Sequence, residues 1–312
     1  MNKLLILSDN AEEYARELGK RALPDLEIFI YDGTDSSESL IRAANIILGQ
    51  PALVSEILER AEQLEWVQSS FAGIEPLCQP GLRTDYTLTG VKGVFGPLMS
   101  EYVFAYILAL ERNIFAMRAN QKKSVWGEMP YRSLGGLTIG ICGLGSIGRH
   151  IASTASYFNM KVLGLSRSAA QTPSVEMVFG LSEIDEFVSQ LDYLVVVLPS
   201  TPETKGIISE GILKNMRRSA VLINVGRGAA VDESALANAL GEGRLRAAVL
   251  DVFNTEPLPE DSPFWKLENA YVTPHNSAFT FPKEIVEIFC DNYRRYRSGE
   301  PLKFKIDFDR GY

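Results

Sequence analysis

Short apolar runs alternate with segments of helical spacing through the first part of the chain. Four of these runs predict strands, at residues 4–7, 27–31, 46–48 and 66–68. Residues 11–21 and 52–61, between the runs, predict helices. Because strands that alternate with helices pair in the same direction, the pattern predicts a parallel sheet. Residues 69–74 follow the fourth strand and form either an ordinary turn that needs Gly73 or a loop whose amides bind a ligand.

The second part of the chain repeats the alternation with apolar runs that are typical of strands buried on both faces. These runs are residues 138–142, 161–165, 194–198, 220–224, 247–251 and 270–273. The later runs are each followed by a polar or proline-bearing loop. Residues 232–241 have helical spacing, with Gly241 as a plausible stop. The pattern predicts a doubly wound sheet.

Two further helices are predicted outside these alternations. Residues 98–118 are apolar on most faces, which predicts a helix buried between domains or subunits. A helix at 283–296 and an apolar run at 302–308 are too short to fold alone, so we expect them to return to the first domain. The length of 312 residues predicts two domains, formed by residues 1–97 with 282–312 and by residues 98–281.

A glycine-rich turn joins residues 138–142 to a helix, with the sequence Gly143-Leu144-Gly145-Ser146-Ile147-Gly148. Gly143 permits a tight turn, Gly145 lets the backbone approach a pyrophosphate, and Gly148 lets the helix pack closely on its strand. The first amides of that helix then point at the phosphates. A turn without a ligand is the alternative, but the strand–helix–strand context favours a dinucleotide.

Composition narrows the class of protein. Apolar residues make up 46% of the chain and charged residues 22%, as in ordinary globular proteins, and the net charge of −8 disfavours nucleic acids and anionic membranes as partners. Cys78, Cys142 and Cys290 lack metal-ligand spacing, which predicts a reducing compartment and no metal site. The apolar stretch at 102–110 is too short to span a membrane. We therefore expect a cytoplasmic protein.

Only two histidines are available as a general acid or base. His150 lies in the helix after the glycine turn, a position typical of a solvated helical residue. His275 follows a predicted strand, in the region where an open α/β sheet holds its ligands. His275 is therefore the candidate acid-base residue, with a structural loop histidine as the alternative.

Two other charged residues follow strands at the same predicted edge. Arg227 stands between Gly226 and Gly228 directly after a buried strand, and its planar guanidinium suits a carboxylate. Glu256 is either a solvated loop acid or a partner that orients the imidazole of His275 and favours its charged form. Together the three side chains indicate an active site.

Four separated motifs now resemble those of the D-isomer-specific 2-hydroxyacid dehydrogenases. They are the glycine turn, Val225-Gly226-Arg227-Gly228, Asp251-Val252-Phe253 with Glu256-Pro257, and Pro274-His275. Within that family, Ser166-Arg167-Ser168 and the ending Asp309-Arg310-Gly311-Tyr312 are most similar to the glyoxylate/hydroxypyruvate reductases. The resemblance implies two doubly wound parallel-sheet α/β domains, a flavodoxin-like substrate domain and a Rossmann dinucleotide-binding domain, with the active-site cleft between them. It also implies a homodimer.

The same resemblance implies a role for each site residue. Arg227 would bind the substrate carboxylate and carbonyl, His275 would be the acid-base residue, and Glu256 would be its partner. The amides of Ala72 and Gly73 would help to hold the carboxylate. The cofactor would contact the glycine turn, Ser166, Arg167, Ser168, Leu198, Pro199, Val225 and Asp251, the last beside the nicotinamide carboxamide. Trp126 is either a packing or interface residue or a substrate contact.

The end of the second strand of the dinucleotide domain bears on the choice of cofactor. Many family members carry an acidic residue there, which binds the ribose hydroxyls of NAD, whereas this chain has Ser166 followed by Arg167. A carboxylate would repel a 2′-phosphate, whereas an arginine and two hydroxyls bind one. NADPH is therefore predicted in preference to NADH. Phe71 and Ser277 stand where relatives carry smaller and apolar residues respectively, so the shape of the substrate pocket is not predicted.

The predicted function is the reduction of a small 2-oxoacid, of the glyoxylate or hydroxypyruvate type, to the D-2-hydroxyacid by hydride transfer from NADPH. The alternative is an NAD(P)-sensing regulatory protein with the same fold and little turnover. The presence of Arg227, Glu256 and His275 together favours the enzyme.

Overall fold

The computed structural model describes residues 1–33 and 38–308, so the ending at 309–312 lies outside the described residues. The chain forms two compact units, Met1–Val94 with Thr280–Tyr312, and Phe95–Phe279. The predicted boundaries, after residue 97 and before residue 282, lie three and two residues from these.

Twelve strands and ten α-helices occur in the described residues. The strands are β1 (Asn2–Leu7), β2 (Leu26–Ile30), β3 (Ile46–Gly49), β4 (Trp66–Ser69), β5 (Thr87–Thr89), β6 (Thr138–Cys142), β7 (Lys161–Leu165), β8 (Met177–Phe179), β9 (Tyr193–Val196), β10 (Val221–Asn224), β11 (Ala247–Leu250) and β12 (Ala270–Val272). The helices are α1 (Ala11–Gly19), α2 (Glu38–Ala43), α3 (Pro51–Ile57), α4 (Phe95–Glu111), α5 (Ile114–Lys122), α6 (Ser146–Tyr157), α7 (Ile184–Ser189), α8 (Glu210–Asn215), α9 (Glu233–Gly241) and α10 (Pro282–Arg297).

The first unit contains a five-stranded parallel sheet in the order β2-β1-β3-β4-β5. β1 is an inner strand, and its residues Leu4, Leu5 and Ile6 are fully buried, as expected where both faces of a parallel sheet are covered. This strand order is the flavodoxin-like order that was predicted for the substrate domain.

The C-terminal helix α10 packs in the first unit, where it contacts α1. Phe289 of α10 stacks on Trp66, with ring centroids 5.0 Å apart. The buried Asn292 donates from Nδ2 to the carbonyl of Lys303 (3.1 Å) and accepts from the backbone N–H of Lys303 (2.8 Å). These contacts hold the chain after α10 against the first sheet.

The second unit contains a seven-stranded parallel sheet in the order β12-β11-β10-β9-β6-β7-β8. All residues of β9, β10 and β11 are buried. β6 and β9 are neighbours although β7 and β8 separate them in the sequence, so the direction of winding reverses between them. Such a reversal point is where doubly wound sheets bind ligands. The predicted class of two doubly wound parallel-sheet α/β domains is confirmed.

The structure differs from the sequence prediction in several places. The predicted helix at 98–118 is divided into α4 and α5, because Asn113 adopts a left-handed conformation (φ 54°), which asparagine tolerates. The apolar run at 302–308 forms no strand in the described residues and contributes only an isolated bridge between Lys305 and Thr89. The strands β5 and β8 were not predicted, since three residues are too few to show a periodicity.

The described residues also bear on membrane and metal binding. Within residues 1–33 and 38–308, no helix is both long enough and apolar enough to cross a membrane. The same residues contain no group of three His, Cys, Asp or Glu side chains placed to hold a metal ion. The three cysteines are free thiols, and complete burial raises the pKa of Cys142 to about 12. The Cys142 thiol is therefore a packing group rather than a reactive one.

Candidate active site

The predicted site residues of the second unit follow strands at one edge of its sheet. The last residues of neighbouring strands are in register, with Val196 paired to both Cys142 and Asn224, and Asn224 paired to Leu250. Because the strands are parallel, the loops that follow them leave from the same edge. These loops carry the glycine turn, Leu198, Pro199, Val225, Arg227, Asp251 and Glu256, and the loop after β12 carries His275.

The three glycines of the turn between β6 and α6 differ in how much space the surrounding protein leaves for a side chain. Gly143 has a φ of 106°, and a Cβ atom added there would lie 2.5 Å from the carbonyl oxygen of Val197. A Cβ atom on Gly148 would lie 1.9 Å from the carbonyl oxygen of Gly143. A Cβ atom on Gly145 would meet no protein atom within 4 Å. The fold therefore requires Gly143 and Gly148, whereas the space beside Gly145 is open to a ligand.

The helix α6 begins directly after the glycine turn. Gly145 is the N-cap of α6, and its carbonyl accepts the first helical hydrogen bond, from the N–H of Arg149 (3.0 Å). Arg149 also donates from Nε to the carbonyl of Leu144 (2.9 Å), which holds the turn against the helix. The first N–H groups of a helix lack partners within it and attract anions. The turn therefore fits the pyrophosphate of a dinucleotide.

The residues after β7 form a short turn at the same edge. The N–H of Ser166 donates to the carbonyl of Phe179 in β8 (3.0 Å), and the carbonyl of Ser166 accepts from the N–H of Ala169 (3.2 Å). Arg167 and Ser168 are exposed. A guanidinium and two hydroxyls thus lie at the end of the second strand, and a 2′-phosphate there would meet a cation and hydroxyl donors.

Backbone packing on both sides holds Arg227 at the end of β10. A Cβ atom on Gly226 would lie 2.7 Å from the backbone nitrogen of Leu198, and one on Gly228 would lie 2.0 Å from the carbonyl carbon of Phe253. Only glycine permits these approaches, so the loops after β9, β10 and β11 interlock around Arg227. The half-buried side chain of Arg227 donates from Nη1 to the carbonyl of Gly226 (2.8 Å).

His275 and Glu256 form a hydrogen-bonded pair, with His275 Nδ1 2.7 Å from Glu256 Oε2. The other carboxylate oxygen, Oε1, accepts from the backbone N–H of Phe253 (2.8 Å), so Glu256 is itself held in place. Because a carboxylate accepts at Nδ1, that nitrogen carries a hydrogen and Nε2 is the atom that can exchange a proton with a ligand. The side chain of His275 is 53% exposed, so a ligand can reach it.

The fully buried carboxylate of Asp251 holds the loop that carries His275. Its Oδ1 accepts from Thr273 Oγ1 (2.6 Å) and from the N–H of Asn276 (2.9 Å), and its Oδ2 accepts from the N–H of Ser277 (3.0 Å). The carbonyl of Asp251 accepts from the N–H of His275, whose backbone is left-handed (φ 52°). Asp251 therefore sets the conformation of this loop, and its contact with the nicotinamide carboxamide stays a prediction.

Ala72 and Gly73 lie in the first unit, after β4, where the hydroxyl of Ser69 organises the turn. Ser69 Oγ accepts from the N–H of Phe71 (3.1 Å) and donates to the carbonyl of Phe71 (2.7 Å). Ala72 is exposed and Gly73 is half-buried. Their role in binding the substrate carboxylate stays a prediction.

The other two residues singled out from the sequence have different surroundings. His150 Nδ1 lies 2.7 Å from Ser100 Oγ, and its ring packs against Gly96, so this exposed histidine joins α6 to α4. Trp126 is completely exposed in the single chain, so it does not pack within the chain.

Two positioning residues were not predicted from the sequence. Asn224 donates from Nδ2 to the carbonyl of Arg227 (3.0 Å) and accepts from the N–H of Gly226 (3.2 Å). Thr273 donates to Asp251. Each is a polar residue at or just after the end of a strand, on the edge that carries the site, and that position is the signal by which both can be found.

Comparison with known proteins identifies the family of the chain. The model of the D-isomer specific 2-hydroxyacid dehydrogenase NAD-binding domain matches residues 104–277, more than half of the chain. Three solved structures are similar over nearly their whole length. A D-isomer specific 2-hydroxyacid dehydrogenase family protein from Aeromonas salmonicida subsp. salmonicida A449 is 44% identical, with a TM-score of 0.94 and 99% of each chain covered.

The two other structures contain cofactor. An NADPH-dependent glyoxylate/hydroxypyruvate reductase from Sinorhizobium meliloti, in complex with NADP and sulfate, is 27% identical, with a TM-score of 0.91 and 100% of each chain covered. A D-isomer specific 2-hydroxyacid dehydrogenase from Xanthobacter autotrophicus Py2, in complex with NADPH and MES, is 29% identical, with a TM-score of 0.90 and 100% of this chain and 99% of that chain covered. The present chain therefore belongs to the D-isomer specific 2-hydroxyacid dehydrogenase family and is an NAD(P)-dependent oxidoreductase.

Proposed function

We propose that this protein reduces a small 2-oxoacid, of the glyoxylate or hydroxypyruvate type, with NADPH. The product is the 2-hydroxyacid, as the D isomer where that carbon is chiral. The observation that carries the proposal is the 2.7 Å contact between His275 Nδ1 and Glu256 Oε2, on the sheet edge that also holds Arg227 and the glycine turn. A cytoplasmic location is part of the proposal, supported by the three free thiols, and cell fractionation tests it.

Each polar group has a task in this reaction. The guanidinium of Arg227 binds the substrate carboxylate and polarises the carbonyl oxygen, which gains negative charge as the reaction proceeds. His275 donates the proton on Nε2 to that oxygen. Glu256 stabilises the charged imidazole and fixes its orientation.

The cofactor supplies the hydride when it is bound. The turn from Gly143 to Gly148 would hold its pyrophosphate, because Gly145 leaves open space and α6 presents its first amides. Leu198, Pro199 and Val225 lie in loops at the same edge and would line the rest of the cofactor site. Ser166, Arg167 and Ser168 would hold a 2′-phosphate, which supports NADPH over NADH. The relatives from Sinorhizobium meliloti and Xanthobacter autotrophicus contain NADP and NADPH respectively.

The reaction is tested by following NADPH loss with glyoxylate, hydroxypyruvate and several bulkier 2-oxoacids. We expect the highest kcat/KM for one of the two small acids. Preference for a bulky 2-oxoacid would contradict the proposed substrate class. Binding of NADPH without turnover of any 2-oxoacid would instead favour the regulatory alternative.

The cofactor preference is tested by the ratio of kcat/KM with NADPH to kcat/KM with NADH. Replacing Arg167 with alanine removes a charged contact to the 2′-phosphate, so the ratio should fall about 10- to 100-fold. Lys161→Ala is the matched control, because Lys161 is an exposed cation at the opposite end of the same strand. A wild-type preference for NADH, or an equal effect of both substitutions, would contradict the assignment.

A further inference from the structure

One face of α4 contacts the loop that carries His275 at two points. Tyr102 OH lies 2.6 Å from Thr273 Oγ1, and Ser277 Oγ donates to Met99 Sδ over 3.3 Å. Met99 and Tyr102 are three positions apart and therefore share a face of the helix. Thr273 and Ser277 each lie two residues from His275, on opposite sides. The helix thus contacts the loop on both sides of the acid-base residue.

The directions of the hydrogen bonds among Tyr102, Thr273 and Asp251 follow from the Asp251 carboxylate, which accepts hydrogen bonds and donates none. The Asp251 carboxylate receives two backbone N–H groups, so Thr273 Oγ1, 2.6 Å from Oδ1, donates its only hydrogen to Asp251. Thr273 Oγ1 can then only accept from Tyr102. Tyr102 must keep its phenolic hydrogen, and burial raises its pKa far above the usual value. The hydrogen bonds therefore run from Tyr102 to Thr273 to Asp251.

Asp251 is the residue on which the position of His275 depends. It holds the backbone of Asn276 and Ser277 through its side chain and the backbone of His275 through its carbonyl. The backbone of His275 is left-handed, a conformation that persists only where the surrounding structure holds it. The geometry of the acid-base pair therefore depends both on Glu256 and on the part-buried hydrogen bonds that hold the loop.

We propose that Tyr102 is a positioning residue, whose hydroxyl acts through Thr273 and Asp251 to keep His275 in the orientation that protonates the substrate. The proposal rests on the role of His275 in the proposed function. In the proposed function the substrate carboxylate is bound by Arg227 and the pyrophosphate of the cofactor by the glycine turn, and the Tyr102 hydroxyl contacts neither group. Loss of the Tyr102 hydroxyl should therefore slow the proton transfer and leave binding unchanged.

The first test is Tyr102→Phe, which removes one hydroxyl and keeps the ring. We expect kcat to fall about tenfold, a loss comparable to one buried hydrogen bond, with the KM for the 2-oxoacid and the Kd for NADPH unchanged. Tyr86→Phe is the control, because Tyr86 is a buried tyrosine of the first unit whose hydroxyl has no partner among the described residues. An unchanged kcat in Tyr102→Phe, or a raised KM with an unchanged kcat, would overturn the proposal.

The second test asks whether the effect passes through Thr273. Thr273→Val should slow turnover, and Tyr102→Phe in that background should cause no further loss, because the contact is already broken. Thr273→Ser keeps the hydroxyl and should retain most of the rate, even if Tyr102→Phe fails to fold. Independent, multiplying losses, or equal losses in Thr273→Ser and Thr273→Val, would overturn the proposal. Failure of the proposed function would be recognised separately from these two outcomes, because the wild-type protein itself would then reduce none of the 2-oxoacids.

Discussion

The contact between His275 and Glu256 is central to the proposed reaction but should contribute little to stability. Both side chains are partly exposed, at 53% and 35%, and exposed ion pairs contribute at most about 1 kcal/mol to folding. The same contact fixes which ring nitrogen carries the transferable proton. Substitutions in this pair should therefore affect turnover and leave the stability of the protein nearly unchanged.

The prediction at this scale compares the two histidines. His275→Asn, which suits the left-handed backbone at this position, should reduce kcat about 100- to 10,000-fold, the usual contribution of a general acid, with the Kd for NADPH nearly unchanged. His150→Asn is the control, because His150 contacts Ser100 between two helices. Steady-state rates and fluorescence titration with NADPH measure both quantities. Substantial residual activity of His275→Asn would remove His275 from the acid role.

The sequence predicted the site residues that directly follow strands, but it did not predict residues that contact the site from a distant element. Arg227 and Glu256 lie in loops after the buried strands β10 and β11, and His275 follows the partly buried edge strand β12, so their positions after strands predicted a shared edge. Tyr102 lies 171 positions from Thr273, and its apolar surroundings in α4 predict a core residue. Only the packing of α4 on the sheet brings the two hydroxyls together.

At the scale of elements, the turn between β6 and α6 separates two demands on glycine. Gly148 is required by the fold, because any side chain would overlap the carbonyl of Gly143, whereas Gly145 faces open space. The sequence motif has glycine at both positions and therefore does not distinguish these two roles. The structure distinguishes the glycine that packs from the glycine that leaves room for a ligand.

This difference leads to a paired prediction. Gly148→Ala should destabilise the protein by about 3 kcal/mol or more, since backbone must move to relieve the overlap. Gly145→Ala should cost at most about 1 kcal/mol, because alanine is a poorer N-cap than glycine, and should raise the Kd for NADPH about tenfold or more. Thermal unfolding and NADPH titration of the two variants measure the effects. Equal changes in both variants would contradict the separation.

Strands that are continuous apolar runs and helices with clear periodicity were predicted from the sequence, whereas short or interrupted elements were not. The inner strands β1, β9, β10 and β11 are continuous apolar runs because both of their faces are buried. The break between α4 and α5 depends on one left-handed residue, Asn113, in a segment whose composition is otherwise helical. Tertiary packing decides where such a break occurs, and the hydrophobic periodicity of the sequence carries no information about that packing.

At the scale of the whole molecule, an ionic cluster around the buried Glu111 joins distant parts of the second unit. Glu111 at the end of α4 accepts hydrogen bonds from Arg132 (2.8 Å), Tyr193 (2.5 Å) and Arg246. Burial acts to raise the pKa of Glu111, but these three donors outweigh it and lower the pKa from 4.5 to about 2. The ionised carboxylate is therefore part of the folded state.

The cluster predicts how stability depends on acid. Because the pKa of Glu111 is lowered on folding, its contribution is complete above pH 4.5 and is lost as the pH falls towards 2, and a difference of this size corresponds to about 3 kcal/mol. Glu111→Gln should lower the free energy of unfolding at neutral pH and weaken its dependence on pH in that range. Urea unfolding from pH 7 downwards measures this. Glu210→Gln, at an exposed pair with Lys214, is the control and should change little.

The predicted homodimer remains a proposal, and the surface after α4 supports it. Large apolar side chains are exposed there, namely Ile114, Phe115, Met117, Val125, Trp126 and Tyr131. Several large apolar side chains exposed in one segment of the chain are typical of a subunit interface. Sedimentation velocity should show a dimer, and Met117→Glu with Trp126→Glu should shift it to monomer. A wild-type monomer at micromolar concentration would contradict the proposal.

The left-handed backbone of His275 limits which residues could replace it as the proposed proton donor. Few residues other than glycine tolerate a left-handed backbone, and those that do are chiefly asparagine, aspartate and histidine. Asparagine has no proton to give at neutral pH, and an aspartate would place a second negative charge beside Glu256. Lysine or tyrosine could serve as acids in solution but are poorly suited to this backbone. Changing the acid of this enzyme would therefore require rebuilding the loop before changing the residue.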